Sequence, residues 1–385
     1  MTRNTTTEGQ PDEAFALSAL WSSTLLLGIV IHSAVTYGAV DYQPVWTLQD
    51  QQTHPIFDWV VSYIHSFRMP LFFLTSGYFA AKSLNQSGLR ELLKNIVRNL
   101  LIPFVGGVFL LWPLVCAAFA FSRASIQHIP YALGDASEAL TSKQFLPLKT
   151  GHLWFLYFLI LLVVLACAIS LVSRKSNSLH AFINKAANGV FQHFWVRFIT
   201  LATALFLCLC WMGKPFLLTN HRWTINPAIF TTYFIYFGWG WMVHKSACLT
   251  QLKQHAMLQL VAGLVLFVLN GWFNWPNEAW ALPTRQALVA VFSTLFVLGF
   301  TSLFLTYCTK PFSIIKYSIN ASYWVYWIHL PFVAFVPGLW SGLNISSPMK
   351  FLLTLASTGA LCLLSHRFLV RNTALGKILN GVPFQ

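Results

Sequence analysis

Acidic side chains are scarce in this chain: ten Asp and Glu stand among 385 residues, and charged residues of both signs make up only 9%. A soluble domain carries roughly 25% charged residues, so the composition excludes that class. The carboxylates also avoid the long apolar runs, with only Asp58 at the margin of one. Proton-coupled transporters place Asp, Glu or His relays within the membrane, and here only histidines are on offer. No ring of charges and no carbonyl-filter signature marks a channel. The seven cysteines (Cys116, Cys167, Cys208, Cys210, Cys248, Cys308 and Cys362) are odd in number and match neither a disulfide framework nor a metal spacing. They read as small apolar packing residues, and no metal is expected. A cleavable signal peptide is not expected either, because Glu8, Asp12 and Glu13 precede an apolar run that is too long for a signal core.

What the chain does have is apolar length. It is 56% hydrophobic, and many runs reach the ~20 residues that cross a bilayer as a helix. The fold class is therefore all-α, a polytopic membrane protein of about ten transmembrane helices. They are placed near 17–39, 57–82, 100–122, 151–172, 196–213, 227–244, 256–273, 286–309, 317–338 and 349–369. Charge orients these spans: sixteen of the 24 Lys and Arg fall on one set of alternate loops, which puts both termini in the cytoplasm. The net charge of +14 then belongs to loops facing an anionic leaflet, and no nucleic-acid partner is implied.

Few ionisable residues remain inside the runs. His32 lies in the first, Arg68 in the second, His152 at the start of the fourth and His329 in the ninth. At ~1.5 Å per residue, His32 is ~22 Å and His329 ~18 Å from the inner face, and Arg68 is ~14 Å from the outer one. His152 begins a span entered from outside, so all four fall in the outer half of the bilayer. A guanidinium in hydrocarbon costs several kcal/mol unless it meets a partner or water, and such residues mark a pathway or site. Pro70 should kink the helix beside it. The plainer reading is that Arg68 snorkels to the interface and each histidine makes an interhelical hydrogen bond. Convergence of all four at one depth favours a site, with histidine as the usual general base near neutral pH. His65 carries a lesser claim. His54, His128 and His221 read as interfacial or loop residues, and His180, His193, His244, His255 and His366 as residues of inner loops.

The segments IHSFRMPLFFLTSGYF at 64–79, HLWFL at 152–156 and INASYWVYWIHLPF at 319–332 resemble the acyltransferase-3 family of membrane O-acyltransferases, most closely its glucan biosynthesis protein C-like branch. The resemblance implies transfer of an acyl group, acetyl or succinyl, from cytoplasmic acyl-CoA to a sugar hydroxyl of a periplasmic or surface glycan. It implies the inner membrane, with residues 17–370 as the transmembrane catalytic domain between cytoplasmic tails at 1–16 and 371–385. Its first-span histidine, the catalytic base, matches His32 in LLLGIVIH, and Arg68, His152 and His329 match its other site residues. Two places differ. The family's Asp and Arg ahead of that histidine are Ser18 and Trp21 here, and its paired arginines before the third span are Asn95 and Arg98. Arg98, Lys94 and Arg90 are the expected grip on CoA. The alternatives are a transporter or flippase-like protein for a glycan or lipid with the same cavity, or a family member that has lost activity.

Overall fold

The computed structural model describes residues 11–141, 149–174, 185, 189–246 and 248–379. The described chain is all-helical, with about 80% helix and no strand. In order it forms α1 (Pro11–Tyr37), α2 (Ile56–Ile96), α3 (Ile102–Ile126), α4 (Ala132–Thr141), α5 (Trp154–Arg174), α6 (Phe194–Met212), α7 (Pro227–Lys245), α8 (Ala256–Trp272), α9 (Ala281–Tyr307), α10 (Ser313–Trp340), α11 (Ser347–Ser365) and α12 (Gly376–Leu379). A helix stands at each of the ten apolar runs. Among the described residues, six helical segments, not ten, are long and apolar enough to cross a membrane by length and composition. One of the six is continuous from Ile56 to Ile126, because a π-helical turn at Val97–Leu101 joins α2 to α3. Short α4, outside the apolar runs, was not expected.

Two helices organise the bundle. α1 packs against α2, α9, α10 and α11, while α2 is buried almost without interruption from Ser66 to Ala81 and lies along α7. The α2–α7 crossing depends on two glycines. A Cβ at Gly77 would collide with the Phe237 carbonyl, and one at Gly240 with the Leu74 carbonyl. With no hydrophobic driving force between helices in lipid, such backbone approach is what gives them contact. α2 keeps helical dihedrals through Pro70, and its non-helical residue is Gly88, with φ 79° and ψ 174°. The break in helical dihedrals therefore falls at Gly88, twenty residues beyond Arg68, because only glycine takes that conformation without strain.

The loop between α1 and α2 is pinned at both ends. Asp58 accepts from the Ala39 and Val40 amides at 2.9 and 3.3 Å and from the Tyr42 hydroxyl at 3.0 Å. Asp50 and Lys350 form an ion pair at 3.1 Å with side chains 1% and 3% exposed, and the Asp50 amide donates to the Thr36 carbonyl. Cys208 packs in the interior as expected, whereas Cys210 is exposed and donates to Gln286 Oε1 at 3.4 Å.

Candidate active site

All four predicted residues meet. Gly28 on α1 is where they converge: a Cβ there would lie 3.2 Å from Arg68 Nη1 and 3.4 Å from His329 Nε2. One turn further along α1, the His32 ring lies between two others. It stacks on His329 at 5.4 Å and 28° and on Trp46 at 5.2 Å and 14°. His152 meets His329 edge-on at 5.5 Å and 87°. The cluster thus draws on α1, α2, α10 and the turn that opens α5.

The sequence YWIHLP explains how α10 holds two of the rings. Pro331 has no N–H, so the carbonyl of Trp327, four residues earlier, loses its helical donor. His152 Nε2–H supplies the replacement at 3.2 Å. His329 Nδ1–H donates to the Tyr326 carbonyl at 2.6 Å, and the Tyr326 hydroxyl donates to the His152 carbonyl at 3.1 Å. A ring nitrogen that donates to a carbonyl fixes the tautomer, leaving the other nitrogen as a lone pair. In His329 that lone pair is Nε2, which is buried and has no partner, within a residue 1% exposed.

Arg68 is equally unusual. None of the ion pairs among the described residues involves it, its Nε lacks a partner, and its Nη2 makes a weak contact with Met69 Sδ at 3.7 Å. Arg68, His32 and His152 each keep partial accessibility, whereas His329 is fully enclosed. Buried polar groups are normally satisfied, and an orphaned lone pair beside an unpaired cation is an arrangement waiting for a ligand. A cation and an acceptor that meet at the same face of Gly28, with an imidazole one turn away, suit a reaction that moves a proton and builds negative charge on oxygen.

Two contributors were missed. Trp46 lies in a loop, where an aromatic residue gives no signal beyond an interfacial preference, yet its indole N–H donates to Thr36 Oγ1 at 3.0 Å and its ring covers His32. His221, read as a loop residue, accepts from the Thr219 hydroxyl at 2.6 Å and donates through Nδ1 to the Gly151 carbonyl at 3.2 Å. It thereby fixes the turn before His152, and burial holds its imidazole below the ordinary pKa. His65 is spoken for: its Nε2–H donates to the Leu217 carbonyl at 2.6 Å.

The expected donor residues do not join the cluster. Arg98 donates to the Lys377 carbonyl at 2.7 Å, Lys94 pairs with Glu91 at 3.2 Å, and Arg90 is exposed, all beyond Gly88 at the other end of α2. Trp21 is 1% exposed between Phe72 and Tyr323, and its indole N–H donates to Ser76 Oγ at 3.3 Å. Ser18 Oγ donates to the Ala14 carbonyl at 2.8 Å. Among the described residues no group of three His, Cys, Asp or Glu is placed to hold a metal.

Comparison with known proteins gives this geometry a context. Residues 24–367 match the family of the acyltransferase domain, a span that takes in His32, Arg68, His152 and His329. The chain belongs to the acyltransferase-3 family. It is an acyltransferase, and a membrane protein by the same relationship and its apolar helices. It is similar to Glucans biosynthesis protein C of Escherichia coli K12, with 22% identity over 384 residues that cover 96% of this chain and 94% of the relative. The protein of the same name from Escherichia coli O157:H7 is 22% identical over 386 residues with the same coverage. No solved structure matches the chain significantly.

Proposed function

We propose that this acyltransferase moves an acetyl or succinyl group from cytoplasmic acyl-CoA to a sugar hydroxyl of a periplasmic or surface glycan. The observation that carries this reading is the juxtaposition at Gly28 of the unpartnered His329 Nε2 and the unpaired Arg68 guanidinium, beside His32. The ten helices are taken as ten spans of the bacterial inner membrane with both ends in the cytoplasm, residues 17–370 forming the catalytic domain and 1–16 and 371–385 the tails. On that topology the cluster lies in the outer half of the bilayer, within reach of an acceptor that enters from outside.

His32 acts as general base. Its ring nitrogen takes the proton of the acceptor hydroxyl as the oxygen attacks the thioester carbonyl. The tetrahedral oxyanion forms beside Arg68, whose cation stabilises it in surroundings that screen charge poorly. Collapse breaks the carbon–sulfur bond, the proton held by His32 passes to the departing thiolate, and the products are the sugar ester and free CoA. His329 offers its Nε2 lone pair to the attacking hydroxyl as a hydrogen-bond acceptor, which orients it. His152 holds the α10 backbone that carries His329 and borders the acceptor path. Arg98, Lys94 and Arg90 supply positive charge for the CoA phosphates at the other end of α2.

The test is chemical. Mass spectrometry of periplasmic and surface glycans from cells with and without the gene should show an acyl ester removed by mild alkali only where the gene is present. Identical glycans in both strains, with no CoA released from acyl-CoA by the purified protein, would defeat the reading.

A further inference from the structure

Among the described residues His32 has no hydrogen-bond partner and takes part in none of the ion pairs. The carboxylates of the loop that follows α1 are already engaged. Asp41 accepts from the Gln43 amide at 2.9 Å, Asp50 pairs with Lys350, and Asp58 receives the Ala39 and Val40 amides. What holds the imidazole is two stacked rings, His329 and Trp46. The register that puts Trp46 there is set on α1, where Thr36 follows His32 by four residues and shares its face. Thr36 Oγ1 accepts the Trp46 indole N–H at 3.0 Å, and the Thr36 carbonyl accepts the Asp50 amide at 2.8 Å. Phe119 meets the indole edge-on at 4.9 Å, and Trp46 is only 6% exposed. The indole is thus fixed in a dry setting, 14° from parallel with the His32 ring.

We propose that Trp46 is a positioning residue for acyl transfer, its ring face stabilising the imidazolium that His32 becomes on taking the acceptor proton. The inference rests on the proposed role of His32 and adds what carries the positive charge. In a Ser-His-Asp triad a carboxylate orients the base and stabilises that charge. His32 lacks such a partner among the described residues, and Arg68 raises the cost of a second cation. The Arg68 Nη1 reaches Gly28, one turn from His32 on α1. Tryptophan offers the best ring face for a cation, and the attraction strengthens when water is excluded. At 5.2 Å the imidazolium lies within the ~6 Å over which that attraction acts. A neutral imidazole gains much less from the same contact. The stabilisation therefore grows as the proton is transferred and belongs in kcat.

Fluorinated tryptophans at position 46 test this, because fluorine drains negative charge from the ring face while hardly altering its size. Mono-, di- and trifluorotryptophan are introduced there in the full chain, held in nanodiscs. In turnover with succinyl-CoA and a neutral gluco-oligosaccharide, kcat should fall stepwise, by about tenfold for the trifluoro ring, with acceptor KM unchanged. A space-filling role would leave kcat flat along the series. The same charge is also read without turnover. Diethyl pyrocarbonate acylates a neutral imidazole nitrogen: a C–N bond forms, ethyl carbonate leaves, and the ring passes through an acylimidazolium. Mass spectrometry of the peptide bearing His32 gives that rate, which should fall about threefold or more along the series. A flat series in either measurement would overturn the proposal, as would a His32 that the reagent does not reach in the parent protein. A falling acylation rate in a protein that transfers no acyl group would instead overturn the catalytic reading and leave the role of Trp46 at His32 standing.

Discussion

Toward one end of α2, Arg68 lies part-buried among rings with no ion-pair partner among the described residues; at the other, Arg98 and Lys94 lie exposed and already engaged with the Lys377 carbonyl and Glu91. The first arrangement is costly and the second is not. A buried guanidinium gives up hydration, so neighbours must hold it for a purpose, whereas exposed pairs of the second kind contribute ~0–1 kcal/mol and exchange partners freely. The difference assigns the ends different tasks. On the proposed function, chemistry is set in advance around Gly28, and the other end offers charge that a CoA phosphate recruits by displacing weak contacts. Trp21 sharpens the contrast, since an indole donates one hydrogen bond and cannot neutralise a phosphate. It fills the space with aromatic packing against Phe72 and Tyr323.

The comparison breaks most sharply at Arg68. Arg68→Lys keeps the charge but loses the planar fork of donors, and Arg68→Gln keeps hydrogen bonding without charge. Each should lower kcat ~10²–10³-fold with acceptor KM little changed. A parent-like rate for Arg68→Lys in a purified assay would reduce Arg68 to an interfacial anchor. Next in size is Lys350→Met, which leaves Asp50 buried without its cation and should cost ~3–5 kcal/mol in thermal unfolding, relieved by adding Asp50→Asn. Because that pair pins the loop bearing Trp46, unchanged stability in Lys350→Met would remove the loop's anchor from the account.

Smaller effects belong to the donor end. Arg98→Ala should raise KM for acyl-CoA about tenfold, consistent with loss of a charge-assisted contact, and leave kcat nearly intact, while Trp21→Arg should be tolerated or lower that KM. A fall in kcat alone for Arg98→Ala would blur the division between the two ends. The smallest concerns His221. Its folded pKa lies below the unfolded value of about 6.5 because burial disfavours the imidazolium, with Lys149 acting in the same direction. Above that unfolded value the residue is neutral in both states and costs nothing. As pH falls through it, the unfolded state binds more protons and stability is lost. His221→Gln should therefore flatten the loss of thermal stability between pH 8 and pH 5.5, and an unaltered slope would contradict the assignment.

How much of this was legible depended on the strength of each signal. Apolar runs of bilayer length are strong, so a helix stands at each of the ten, although six helical segments among the described residues are long and apolar enough to cross a membrane. Ionisable residues inside such runs are costly, so His32, Arg68, His152 and His329 announced themselves. The continuation of α2 past Ala81 was missed because Gly88 and polar neighbours end the apolar pattern without ending the helix. Trp46 and His221 act from loops, where neither periodicity nor burial can be read in advance. The bond from His152 to the Trp327 carbonyl was readable in principle, since a proline four residues after a tryptophan frees that acceptor. The partner that would take it was not.

On the proposed function the cluster at Gly28 carries out the chemistry and the exposed end of α2 binds the donor. The most direct measurement is acyl transfer by purified His32→Ala beside the parent, with acyl-CoA binding followed on the same samples. The account predicts that transfer falls ~10²–10⁴-fold while the protein accumulates normally and binds acyl-CoA as the parent does. Near-normal transfer by His32→Ala would contradict it.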